Sequence, residues 1–343
     1  MNINQRIEII CEIGKFLKNY LDEKYDNNKD HKLAEFEKII IKTQSINPWF
    51  TDENIKVNLT YWSEKLTKTN LKQWLNKYDL NNNSRKNIAI IMAGNIPLVG
   101  FHDFICVFLS GHNSIIKLSN NDKFILPFLT DLINLDSDRV VYLDNMLKDY
   151  HGVIATGSDN TSRYFEYYFK NKNSIIRKNR NSIAILDGEE SDCDLKSLSN
   201  DIFTYFGLGC RNVSKLYVPR NYNFDSFFNS IFSYKELINN HKYANNYDYN
   251  KAIYLMSEYK FLDNGFFIVN EGEEMHSPIS TINYEYYDNI SLLREKINQQ
   301  EDKIQCIVSN IEFKGKVDFG ETQNPSLNQY ADNIDVMNFL LTI

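Results

Sequence analysis

Two kinds of hydrophobic spacing divide this chain. Near the start, Ile3, Ile7, Ile10, Leu17 and Leu21 fall on one face of a helical wheel, which predicts an amphipathic helix over residues 3–21. Thr51 is placed to cap a short helix after Pro48. Leu59, Trp62, Leu66, Leu71, Trp74, Leu75 and Tyr78 predict a second helical region over residues 59–78, with its aromatic residues read as packing. Asn81, Asn82, Asn83 and Ser84 form a polar connection.

The texture changes at Ile88. Residues 88–92 are a short, wholly apolar run, as expected of a strand covered on both faces. Helix is predicted over 98–109, strand over 114–118, helix over 122–135 and strand over 139–143. Strand over 152–155 and helix over 160–169 follow. Strands alternating with helices imply a parallel sheet with right-handed crossovers. A second unit opens with the strand 183–186. Leu195, Leu198, Ile202, Tyr205 and Phe206 lie on one helical stripe running into Gly207, and residues 213–218 form a strand stopped by Pro219. Further strands are predicted near 266–269, 279–284 and 304–308, with a helix over 290–299 between the last two. No internal repeat or low-complexity tail is visible.

Composition narrows the chemistry. A chain of 343 residues with 43% hydrophobic content can bury two domain cores. A formal net charge of -7 weighs against nucleic acid as a partner. The five cysteines (Cys11, Cys106, Cys193, Cys210, Cys306) are scattered and the six histidines isolated, so no disulfide framework, zinc site or other metal site is expected. No stretch approaches the ~18 apolar residues of a membrane span, and the first residues lead into an amphipathic pattern rather than a signal segment. A cytoplasmic protein is expected.

Four short segments carry candidate chemistry. Cys210 follows Gly207, Leu208 and Gly209, which let the backbone turn sharply and leave the sulfur beside open space. A buried core cysteine is the commoner fate of such a thiol. Asn95, in Gly-Asn-Ile-Pro after the first strand, stands where open α/β sheets bind ligands, although the same residues suit a plain turn. Thr156, Gly157 and Ser158, between a strand and a helix, allow backbone N–H groups to approach a pyrophosphate, but no Gly-x-Gly-x-x-Gly fingerprint occurs. Lys117, at a strand end, could reach a ribose or phosphate or could simply extend into water.

The order of these segments is more specific than any one of them. Asn-Ile-Pro-Leu from Asn95, Lys-Leu-Ser from Lys117, Thr-Gly-Ser from Thr156 and Gly-Leu-Gly-Cys ending at Cys210 resemble the aldehyde dehydrogenase superfamily. Glu274 to Pro278 looks like that superfamily's Glu-x-Phe-Gly-Pro segment. Within it, Leu208 to Ser214 and Gln323 to Asp332 are similar to acyl-CoA reductases akin to the fatty-acid reductase of bacterial bioluminescence. The resemblance implies an α/β fold with two Rossmann-like parallel-sheet domains and an N-terminal helical segment. The implied boundaries are 1–181 for the helices and cofactor domain, 182–325 for the catalytic domain and 326–343 for a C-terminal return.

The resemblance further implies an NADPH-dependent reductase that converts an acyl thioester to an aldehyde through a thioacyl-enzyme on Cys210. The oxyanion would be held by the Asn95 amide and the Cys210 N–H. Lys117, Ser119, Thr156, Gly157 and Ser158 would hold the cofactor, and Glu274 its nicotinamide ribose. Two departures refine this. Arg177 occupies the position of the glutamate that activates water in hydrolytic relatives, and a guanidinium cannot act as that base. Asn120 stands where NAD-using relatives carry a glutamate, which favours NADPH over NADH. Leu118 also replaces the proline of the family's Lys-Pro-Ser segment. Arg211 or Arg177 is the candidate positive charge beside the thiol. The substrate is acyl-CoA or an acyl-carrier thioester, and a second copy or an acyl-transfer protein is the candidate partner. The rival readings are acyl phosphate reduction, aldehyde oxidation and non-catalytic acyl binding. The aromatic-rich stretch 222–287 is either an acyl site or ordinary packing.

Overall fold

The computed structural model describes residues 1–23, 30–80, 84–135, 138–143 and 147–343, so most of the predicted 81–84 connection lies outside the described residues. The chain divides into two compact units, Met1–Asn179 with Ser326–Ile343, and Arg180–Pro325.

The first unit opens with helices α1 (Ile3–Glu23), α2 (His31–Ile46), α3 (Asp52–Lys65) and α4 (Lys68–Leu75). Thr51 caps α3, its side chain accepting from Asn54 N–H. The single helical region expected over 59–78 is two helices. Leu66 leaves helical geometry at ψ 48°, and Thr67 caps a new helix by accepting from Asn70 N–H. A side-chain oxygen that satisfies exposed helix-start donors makes a break there inexpensive. The sheet region follows: β1 (Asn87–Ile91), α5 (Phe101–Ser110), β2 (Asn113–Lys117), α6 (Ile125–Leu132), β3 (Val140–Tyr142), β4 (Gly152–Thr156), α7 (Asp159–Phe169) and β5 (Asn173–Arg177).

These five strands pair in parallel in the order β3-β2-β1-β4-β5. The progression reverses between β1 and β4, which is the switch point where open α/β sheets form a crevice. Helix α5 is apolar nearly all round, from Phe101 to Leu109, because it is buried on every side. It shares one core with Ile10, Phe36, Leu59 and Trp62 of the N-terminal helices.

The second unit comprises β6 (Asn181–Ile185), α8 (Asp192–Phe203), β7 (Val213–Pro219), α9 (Phe224–Ile231), α10 (His241–Met256), β8 (Phe261–Asp263), β9 (Ile268–Glu271), β10 (Thr281–Tyr287), α11 (Ile290–Asn298), β11 (Ile304–Val308) and β12 (Lys316–Val317). Its seven strands run β12-β11-β6-β7-β10-β9-β8, parallel except for β8 against β9. Side chains alternate across β7: Leu216 and Val218 pack with Phe227, Ile231 and Phe267, whereas Tyr217 packs with Ile183, Leu293 and Ile297. Phe224, Phe227, Phe266 and Phe267 are thereby core, so this part of the aromatic stretch 222–287 follows the packing reading. A last helix, α12 (Val336–Thr342), belongs to the first unit and packs Val336, Met337 and Leu340 into its core. Among the described residues no helix is long and apolar enough to cross a membrane, and no cluster of side chains could hold a metal ion.

Candidate active site

In the first unit the predicted residues stand at the carboxyl ends of three neighbouring strands, β2, β1 and β4. The turn after β1 presses onto the segment after β2. A Cβ on Gly94 would come within 2.5 Å of Ser119 Oγ, so only glycine permits this approach. Asn47 Nδ2 reaches Gly94 O at 3.5 Å and Asn121 O at 3.4 Å, and Asn58 Nδ2 donates to Pro97 O at 2.9 Å. Leu98 takes a left-handed φ of 54° and donates its N–H to Asp122 Oδ2 at 2.7 Å. Burial pushes the Asp122 carboxyl up to about 6, and the Leu98 N–H pulls in the opposite direction. Asn95 and Lys117 are exposed and Ser119 is half-buried.

Thr156 ends β4, and Ser158 caps α7, its Oγ accepting from Thr161 N–H at 3.4 Å. A Cβ on Gly157 would meet Thr161 and Phe165 at 3.0 and 3.1 Å, so the glycine brings the chain directly onto the helix. A tight strand-to-helix turn of this kind leaves helix-start N–H groups facing outward, which suits a phosphate.

Arg177 departs from expectation. It ends β5 beside Thr156 in register and is 6% exposed. Its guanidinium makes a bidentate pair with Asp103 in the first turn of α5, at 2.5 and 2.8 Å. Burial works against the cation, but the Asp103 carboxylate outweighs it and holds Arg177 firmly charged. Its charge is therefore balanced by Asp103.

In the second unit Cys210 is exposed. The helix before it does not run into Gly207 as expected. Helix α8 ends at Phe203, and Tyr205, Phe206 and Gly207 take left-handed φ values of 56°, 57° and 76°. The chain thus turns away from the helix axis before it reaches the thiol. Asn212 N–H closes a turn onto Gly209 O at 3.0 Å, with Cys210 and Arg211 at its corner.

The side chain of Asn212 anchors this turn. Its oxygen accepts from Gly209 N–H at 2.8 Å, and its amide donates to the carbonyls of Asp201, Ile202 and Thr204 at 3.1, 3.3 and 2.8 Å. Ser182 adds a bond from its Oγ to Cys210 O at 3.0 Å and touches Cys306 Sγ at 2.9 Å. Burial raises Cys306 to about 11, an effect partly offset by the Arg211 charge. Cys306 is thus the inert thiol of the two neighbours. Asp201 accepts from Gly320 N–H, Thr322 N–H and Thr322 Oγ1, tying residues 320–322 to α8, and burial raises its carboxyl to about 6.

Glu274 is exposed on the return between β9 and β10. Met275 O accepts from Ser214 Oγ at 2.9 Å, and Ser277 Oγ donates to Ser214 O at 2.6 Å. The Glu274 return is therefore bonded directly to the strand that begins just after Cys210. The sequence reading singled out neither Asn212 nor Ser182. The signal for Asn212 was present: a helix that ends in left-handed residues leaves carbonyls open, and an asparagine shortly afterwards can donate to them.

Comparison with known proteins follows the same lines. The profile of the family described as Acyl-CoA reductase (LuxC) matches residues 1–227. No curated protein sequence matches the chain. Among solved structures, an indole-3-acetaldehyde dehydrogenase of P. syringae, in complex with NAD+ and IAA, superposes with a TM-score of 0.65 at 12% identity, covering 90% of this chain and 72% of its own. Aldehyde dehydrogenase 21 of Physcomitrella patens, in complex with the reaction product succinate, gives 0.68 at 11% identity, covering 100% and 84%. The aldehyde dehydrogenase KauB of Pseudomonas aeruginosa gives 0.65 at 10% identity, covering 92% and 73%. The fold is therefore that of the aldehyde dehydrogenases.

Proposed function

The chain belongs to the acyl-CoA reductase (LuxC) family, a family of oxidoreductases, and from that premise we propose that it reduces an acyl thioester to an aldehyde with NADPH through a thioacyl-enzyme on Cys210. The observation that carries the reading is the exposure of Cys210 at the corner of a turn whose backbone Asn212 and Ser182 hold rigid. A nucleophile needs both access and a fixed aim.

The residues of the first unit fit a dinucleotide. Small residues bring the backbone close at Gly94 and Gly157, Ser158 opens a helix N-terminus, and Asn120 supplies no carboxylate to repel a 2′-phosphate. Lys117, Ser119, Thr156, Gly157 and Ser158 would hold NADPH, and Glu274 its nicotinamide ribose. A nicotinamide cofactor held by these residues would supply the hydride for the acyl carbonyl carbon.

Cys210 thiolate attacks the thioester carbonyl, a new carbon–sulfur bond forms, and the bond to the CoA or carrier sulfur breaks. That thiolate leaves and takes a proton from solvent. The Cys210 N–H and the Asn95 amide are assigned to the oxyanion that develops on the carbonyl oxygen. After reduction the thiohemiacetal loses the Cys210 sulfur, which releases the aldehyde and restores the thiol. Arg177 supports reduction over hydrolysis, since a permanently charged, carboxylate-paired guanidinium cannot activate water.

The test is sequential. Purified protein given an acyl-CoA without NADPH is expected to release CoA and gain the acyl mass on Cys210, and NADPH is then expected to convert that adduct to aldehyde. Cys210→Ala is expected to abolish both steps. Aldehyde formation at the parent rate by Cys210→Ala would overturn the reading, and turnover of acyl phosphate alone would redirect it to that substrate.

A further inference from the structure

A row of polar residues crosses the second sheet where apolar ones are expected. Lys215 on β7 pairs in register with Asn283 on β10, which pairs in register with Asn270 on β9. These three neighbours are 0%, 5% and 7% exposed. Asparagine is disfavoured in strands, and a buried ammonium costs stability unless something requires it. Lys215 is paired with Glu285 at 3.4 Å, but that pair does not account for the two asparagines beside it.

Two of the three bond directly to one segment, and Asn270 bonds to Asn283. Lys215 Nζ donates to Gly272 O. Asn283 Nδ2 donates to Glu274 O at 3.2 Å and to His276 O at 3.1 Å. Both of its amide hydrogens are thereby used, and Asn270 Nδ2 donates to its oxygen at 3.3 Å, so the amide has only one workable orientation. The backbone N–H of Asn283 donates to Ser277 Oγ, which itself donates to Ser214 O. Ser214 Oγ holds Met275 O. The carbonyls of Gly272, Glu274, Met275 and His276 are all pinned from the sheet, while the Glu274 side chain is left exposed.

We infer that Asn283 is a positioning residue which, with Lys215 and Ser214, fixes the backbone of residues 272–278 so that the Glu274 carboxylate is presented in one place. This deepens the proposed function and rests on the reading of Glu274 as a cofactor contact. An exposed glutamate on an unanchored return would sample many positions and lose most of the advantage of a hydrogen bond to a ribose. The polar row spends fold stability on that placement.

Two variants test it. Asn283→Asp is isosteric but offers the two carbonyls no donor, and Ser214→Ala removes the bond to Met275 O and a longer 3.4 Å contact with Asn181 Oδ1 from a half-buried site. The dissociation constant of NADPH, read by its fluorescence at a temperature well below unfolding, is expected to rise about tenfold in Asn283→Asp. A rise of roughly threefold is expected in Ser214→Ala. CoA release from acyl-CoA in the absence of NADPH, which does not involve Glu274, is expected to stay within about twofold of the parent.

A purely structural role would lower the melting temperature and leave NADPH affinity unchanged. That outcome in folded Asn283→Asp overturns the inference, and should that variant not fold, the same outcome in Ser214→Ala does so. Glu274→Gln separates the two levels. If it binds NADPH as tightly as the parent, the cofactor reading and the inference both fall. If it binds weakly while the positioning variants bind normally, the inference alone falls.

Discussion

The two units offer their candidate residues from opposite kinds of loop. In the first, the chain leaves a strand and enters a helix, as at Thr156 to Ser158, and the open groups are helix-start N–H donors. In the second, the chain leaves helix α8 and enters strand β7 past Cys210, and the open groups are carbonyls. The anchors differ accordingly. In the first unit Ser158 Oγ and Asp122 accept from the N–H groups of Thr161 and Leu98, while the amides of Asn47 and Asn58 donate to carbonyls of the Asn95 turn. Amide donors serve the second: Asn212 under the cysteine turn and Asn283 under the Glu274 return. The lesson is confined to helix ends: the direction in which the chain crosses one dictates whether an acceptor, as at Ser158, or an amide donor, as at Asn212, can hold it.

The sharpest way to break this comparison is at Arg177. Its pairing with Asp103 is buried and bidentate, so Arg177→Met strands a carboxylate in the core. The expected cost is about 3–5 kcal/mol, measured by chemical denaturation. Adding Asp103→Leu is expected to recover most of that loss, because no uncompensated charge then remains. A double variant no more stable than Arg177→Met would show that the pair is not what Asp103 contributes.

Asp122 offers a subtler test. Its folded carboxyl titrates at about 6, above its ordinary range, because burial disfavours the charge. Between the unfolded and folded values the native state holds the proton that the unfolded chain has released. This group's contribution to stability is therefore fully present at low pH and falls as pH rises from about 4 to about 6. Asp122→Asn keeps an acceptor for the Leu98 N–H and cannot ionise. The stability difference, variant minus parent, is expected to move in the variant's favour by ~2 kcal/mol between pH 4 and pH 7. A difference that does not change with pH would place the Asp122 titration elsewhere.

Local signals carried much of the fold. The apolar runs at 88–92 and 152–155 became β1 and β4 because a strand buried on both faces is written in consecutive residues. Thr51 and Ser158 were visible as caps or turns for the same local reason. Helix α10 was missed because its apolar residues are spread round the axis and only Tyr243, Tyr247 and Asn250 are buried. Strand β5 was missed because its last residue, Arg177, reads as a surface charge until Asp103 is brought to it from α5. The loops bearing Asn95, Lys117, Gly157 and Cys210 were legible from glycines and strand ends. The groups that hold the cysteine and Glu274 loops were not, since the register that aligns Lys215, Asn283 and Asn270 joins three separate strands.

The smallest effect is the most direct test of the comparison, because one chemical change is made at both kinds of loop. Asn212→Asp keeps an acceptor for Gly209 N–H but turns a carboxylate toward the carbonyls of Asp201, Ile202 and Thr204 at the negative end of α8. A loss of about 2 kcal/mol is expected, since three acceptors lose their donor. Alkylation of Cys210 at neutral pH is also expected to slow, because negative charge beside the turn opposes the thiolate. Ser158→Asp places the same carboxylate at the start of α7, where it can accept from Thr161 N–H and meets the positive end of the helix. Its melting temperature is expected to equal or slightly exceed that of the parent. Equal losses at the two positions would mean that bulk or burial, rather than loop direction, sets what each loop accepts.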